Sequence, residues 1–75
     1  MIDKVYRIKA TNELYVKYVV IDGNGKENWL SAVFTYDINE SALYDKDKAK
    51  IYCEELNNNR KYNDLGISFM LEEVE

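Results

Sequence analysis

The stretch LYVKYVVIDGNGKENWLSAVFTY (residues 14–36) decides the fold. Its middle, Asp22-Gly23-Asn24-Gly25-Lys26, interrupts two apolar runs with residue types that accept the positive φ a hairpin turn requires. In the run before it, Leu14, Val16, Tyr18 and Val20 alternate with Tyr15, Lys17, Val19 and Ile21. In the run after it, Leu30, Ala32, Phe34 and Tyr36 alternate with Trp29, Ser31, Val33 and Thr35. A period of two over such a length predicts two strands, Leu14–Ile21 and Asn28–Tyr36.

Working outward, Val5–Ala10 also alternates, with Tyr6, Ile8 and Ala10 on one side and Arg7 and Lys9 on the other. The polar Thr11-Asn12-Glu13 joins it to the second strand as a tight hairpin, so the first three strands form a meander. Ala42-Leu43-Tyr44 offers a further short strand. After it the period changes: Ala49, Tyr52, Cys53 and Leu56 make one helical stripe. Asp45 is placed to cap the helix and Asp47 to meet its positive end. Asn57-Asn58-Asn59 stops it, and a polar connection leads to a last strand, Ile67–Val74. The predicted fold is one α+β domain over residues 1–75, ordered β-β-β-α-β. An antiparallel sheet of three to four strands carries the helix on one face.

A chain of 75 residues has little core, with net stability of roughly 3–5 kcal/mol expected for such sizes. Cys53 is the only cysteine and histidine is absent, so neither an internal disulfide nor the usual zinc ligand set is available. Good packing or self-association must supply the stability. One Trp, seven Tyr and two Phe provide material for either. Tyr6, Tyr18, Tyr36 and Tyr52 are read as core, and Tyr15, Trp29 and Tyr62 as interface candidates.

Catalytic and cofactor motifs are weak throughout. Gly23-x-Gly25 is too short for a dinucleotide fingerprint and precedes a strand. Asp22-x-Asn24 opens like a calcium loop, but Lys26 and Glu27 stand where a further ligand and a glycine belong. Cys53 lies on the apolar stripe without a base, which suits packing better than nucleophilic attack. The neighbouring pairs Glu54-Glu55 and Glu72-Glu73 diverge from each other on a helix and a strand. No catalytic, cofactor or metal residues are assigned, and a non-enzymatic role is expected.

A net charge of −4 disfavours direct binding to nucleic acid, although Arg60-Lys61 with Tyr62 makes a local basic patch. The opening residues show no signal-peptide pattern, and no apolar run approaches the ~18 residues of a membrane span. A cytoplasmic protein of a bacterial host cell is the expectation, with no membrane partner.

The run Ala42-Leu43-Tyr44-Asp45-Lys46-Asp47-Lys48-Ala49, the final Glu-Val-Glu and the opening Val5-Tyr6-Arg7-Ile8-Lys9 resemble small phage and prophage proteins of low-GC Gram-positive bacteria, staphylococcal phages among them. The resemblance implies a source and carries no active residues with it. A lone helix covers one face of a sheet, so the other face, read as Tyr15, Val19, Ile21, Trp29 and Val33, is the expected docking surface. Its partner would be an unidentified protein or a second copy of the chain in a homodimer. The alternative is an acidic nucleic-acid mimic or accessory factor, using a stripe through Glu54, Glu72 and Glu75.

Overall fold

The computed structural model describes residues 4–23 and 28–74. Residues 24–27, with the centre of the expected turn and most of the calcium-like segment, lie outside the described residues, as do residues 1–3 and Glu75. An antiparallel sheet holds five strands: β1 (Val5–Ala10), β2 (Tyr15–Gly23), β3 (Asn28–Thr35), β4 (Tyr44–Asp45) and β5 (Phe69–Val74). The main helix, α1 (Lys46–Asn57), packs against it, and a short helix, α2 (Arg60–Asp64), follows. The α+β class and the order β-β-β-α-β therefore hold, with β4 and α2 added to them.

Between β1 and β2 the chain turns in three residues. The Ala10 carbonyl accepts the Glu13 N–H at 3.2 Å, and the Ala10 N–H donates to the Leu14 carbonyl at 2.9 Å. Such a loop needs its third residue in the left-handed region, and Glu13 takes φ 70° there without being glycine. Past this turn β2 leaves β1 almost at once, since Lys9↔Tyr15 is their pairing. The segment before α1 occupies the vacated edge: Tyr6 pairs with Tyr44, Val5 pairs with Asp45, and the Ala42 N–H donates to the Val16 carbonyl at 3.1 Å. The far side of β1 pairs along its whole length with β5, from Val5↔Val74 to Ala10↔Phe69.

Asp45 caps α1 through its side chain, which accepts the Lys48 N–H at 2.8 Å. Ala49, Cys53 and Leu56 are buried, and Tyr52 packs beside them with its ring edge-on to Tyr44 at 5.0 Å. Ile8, Val16 and Leu56 are fully enclosed, each worth about 1.5–3 kcal/mol by removal from water. At the centre the Tyr62 ring meets those of Phe34 and Phe69 edge-on at 5.8 and 5.0 Å, while Phe34 and Phe69 stack at 6.0 Å. Phe34 and Phe69 come from opposite margins of the sheet, so the sheet curls around this cluster.

Three expectations are corrected here. The connection after Asn59 is helical over Arg60–Asp64: Asn59 caps it, and Gly66 at φ 73° closes it with the Ile67 N–H donating to the Tyr62 carbonyl at 2.9 Å. Tyr62 is therefore a core residue, not an interface candidate. Its hydroxyl accepts the Ala32 N–H at 2.7 Å and donates to the Ala32 carbonyl at 3.3 Å, closing the outer edge of β3. Conversely, Tyr18 and Tyr36 are not core: they are 48% and 87% exposed.

Two substitutions test this reading. Tyr62→Phe keeps the ring cluster but strands both Ala32 backbone groups, and should lower unfolding free energy by about 1–2 kcal/mol in urea titration without changing the slope. Glu13→Gly should raise it by about 1 kcal/mol, because glycine adopts the left-handed conformation without steric cost.

Candidate functional site

Which residues leave the sheet away from α1 is decided by one irregularity in β2. Val16 pairs with Phe34 and Tyr18 with Val33, so Lys17 is an extra residue and the alternation reverses beyond it. Val16 and Val19 then both face the helix side, opposite Phe34 and Ala32, and Ile21 follows opposite Leu30. Tyr15, Tyr18, Val20, Val33 and Trp29 occupy the other side, paired with or alternating against those residues.

The five residues expected on one face are thus divided between the two sides of the sheet. Tyr15, Val33 and Trp29 share the side away from α1, as read from the sequence. Val19 and Ile21 do not: the bulge carries them to the helix side, where Val19 packs against the core. Tyr18 and Val20 replace them and are exposed. Ile21 nonetheless remains 76% exposed, because it lies near the turn end of the hairpin, two residues before Gly23↔Asn28. The signal for the reversal is faint in the sequence: Tyr18-Val19-Val20-Ile21 is apolar throughout, so either alternation fits it.

The surface has two parts. On β2 and β3 it is aromatic and aliphatic, with Tyr18, Val20 and a Trp29 that is 40% exposed. Towards β1 and β5 it becomes charged: the Arg7 guanidinium and the Lys9 ammonium lie 6.0 and 5.9 Å from the Tyr15 ring centre, within cation–π range. Arg7 Nε also stands 3.8 Å from Glu72 Oε1, and Met70 is exposed beside them. Thr35, although on this side by register, is buried by the 3₁₀ turn Ile38–Glu40; its hydroxyl donates to Glu40 at 3.0 Å and accepts the Asp37 N–H at 3.0 Å.

By register Trp29 leaves β3 on the side away from α1, but at this end of the pairing it also borders a recess of about 180 Å³ on the helix side, with Ile21, Leu30 and the α1 residue Glu55. Pockets that enclose small ligands usually span about 300–1,000 Å³, so this one suits a single inserted side chain better than a substrate. Glu54 stands on α1 while Glu72 leaves β5 on the side away from it, beside Arg7, so these two acids share no face; Glu75 lies outside the described residues. Of the basic patch, Lys61 holds its ammonium 5.0 Å over the ring of the buried Tyr62. Cys53 is enclosed next to Asn57, whose amide approaches its sulfur at 3.7 Å. Burial, and then the nearby Glu54 charge, push its thiol above the usual range, which opposes thiolate formation at neutral pH.

Comparison with known proteins finds no family model, no curated protein and no solved structure that matches this chain.

The two raised acids give a pH test. Burial lifts the Tyr44 hydroxyl as well, followed by Tyr52, against a hydrogen bond from the Val19 backbone. The folded chain keeps both protons where the unfolded chain releases them, so stability should fall as pH rises past the ordinary values of 9.0 and 10.0. Urea midpoints measured from pH 7 to 11 check this, and Cys53→Ala should remove the part of the decline that begins near the thiol value. Native Cys53 should react with a thiol reagent orders of magnitude more slowly than in urea.

Proposed function

We propose that this chain is a non-enzymatic protein-binding module that docks a protein partner on the side of the β2–β3 hairpin turned away from α1. The observation that carries the reading is the run of Tyr18, Val20 and Trp29 on one exposed side, continuous with the Tyr15 ring and its two cations. Aromatic side chains flanked by basic groups are the residue types that contribute most to protein interfaces, because they bury large area at small entropic cost. The chain's own helix serves the other side, and among the described residues no second layer covers this one. A bacterial host cell is the proposed setting, as the sequence resemblance implies.

Site-specific cross-linking tests the reading. A photoreactive phenylalanine analogue in place of Tyr18 should join the chain to one reproducible protein in host cells, whereas the same group in place of the exposed Lys48 on α1 should not. Equal labelling from both positions, or none from Tyr18, would remove this surface as the docking site. Trp29→Ala should weaken the captured complex about 30-fold, equivalent to ~2 kcal/mol for a central aromatic anchor. A cross-link to a second copy of the chain would identify the partner as itself.

A further inference from the structure

The sheet has two outer edges, and the chain treats them differently. On β3, Tyr62 holds both backbone groups of Ala32, and Asn59 Nδ2 donates to the Leu30 carbonyl at 2.9 Å. On β5 the corresponding clamp is Asn57, whose amide accepts the Phe69 N–H at 2.7 Å and donates to the Phe69 carbonyl at 3.0 Å. That clamp stops at Phe69. In an antiparallel strand the backbone groups of alternate residues point the same way. Phe69 points away from β1, and so Leu71 and Glu73 do too. Among the described residues nothing pairs with them on that side. Leu71 and Met70 are exposed beside this open edge.

We infer that the outer edge of β5 over Met70–Val74 accepts an extended, basic segment of another protein as an added antiparallel strand. The charge pattern selects the occupant. On its inner side β5 already meets bases: Arg7 is the cross-strand partner of Glu72, and Lys4 Nζ lies 3.1 Å from Glu73 Oε1. An outer strand with basic residues opposite Glu72 and Glu73, and apolar residues opposite Met70, Leu71 and Val74, would repeat that complementarity. A second copy of this chain fits poorly. The register that uses both open residues, Leu71 against Glu73 in each direction, sets Glu72 against its own counterpart. Centring on Glu73 opposes two copies of that carboxylate. Centring on Leu71 sends Glu73 to Phe69, whose backbone groups Asn57 already holds. Like charges directly opposed across strands are destabilising, whereas opposite charges gain by similar amounts. This edge is separate from the hairpin surface proposed above, so each can fail alone.

The test uses the full chain labelled with nitrogen-15 and two synthetic peptides, acetyl-Thr-Val-Lys-Lys-Val-Val-Thr-amide and its counterpart with glutamate for lysine. The lysine peptide should slow amide exchange at Leu71 and Glu73, while Met70 and Glu72, already bonded to β1, stay as they were. It should bind about tenfold more tightly than the glutamate peptide, the ratio that reversing two cross-strand charge pairs gives. Leu71→Pro removes an outward donor without touching the β1 ladder and should abolish the protection. Glu72→Lys, which leaves the backbone intact, should erase or reverse the peptide preference. Equal binding of both peptides, protection absent from Leu71 and Glu73, or shifts confined to Tyr18 and Trp29 would overturn the inference.

Discussion

A pleated sheet of this size exposes two rows of backbone groups at its margins, and the fold depends on how one short joint satisfies them. Asn57, Asn59 and Tyr62 lie within a single corner between the two helices, yet Asn57 bonds the outer edge of β5 while the other two bond that of β3. In a flat sheet those margins would be about 14 Å apart, from three strand spacings of ~4.8 Å. Asn57 and Asn59 are two residues apart and cannot reach across that width and around both edges. The sheet must therefore curl until its margins meet the corner. The stacked Phe34 and Phe69 rings are the inner record of that curl, with Tyr62 wedged edge-on between them.

The same constraint explains the irregular middle of the sheet. Curling demands that neighbouring strands separate somewhere, and they do so after Lys9↔Tyr15, where β2 bends away. The extra residue at Lys17 is the local means, because a bulge bends and twists the strand that carries it. Backbone groups on β1 and β2 would be orphaned by the split. The segment entering α1 takes them up, through the Tyr6 and Val5 pairings of β4 and the Ala42 bond to Val16. Two residues of strand suffice, since the gap they fill is short.

How much of this is legible in the sequence follows from where a residue pattern has one solution. Val5–Ala10 alternates strictly and emerges as a strand with those bounds; Asp45 followed by the stripe Ala49, Tyr52, Cys53 and Leu56 emerges as a capped helix. Tyr18 to Ile21 has two solutions, because four apolar residues in a row suit either face, and tertiary packing chose the one that periodicity alone did not favour. The second helix was hidden for a different reason. Arg60–Asp64 has weak intrinsic helical preference and one apolar residue, so its formation rests on ends and contacts: the Asn59 cap, the Gly66 reversal and the burial of Tyr62. The asparagine run reads locally as a helix stop. Its service to two distant strands is visible only once the chain is folded.

For binding, the curl has a consequence that a flat sheet would lack. The side away from α1 becomes the outer, convex side, where neighbouring side chains splay apart and shield one another less. Tyr18, Val20 and Trp29 are 48%, 38% and 40% exposed on that side. A convex aromatic surface cannot enclose a small molecule, but it can enter a partner's groove. A net charge of −4 favours keeping such a surface in solution. Acids on β5 and bases with tyrosine on β1 and β2 further give the exterior a sense of direction, negative at one margin and aromatic-cationic beside it. A partner docked there, as proposed, would meet opposite charges at defined places, which would fix its orientation more than its affinity.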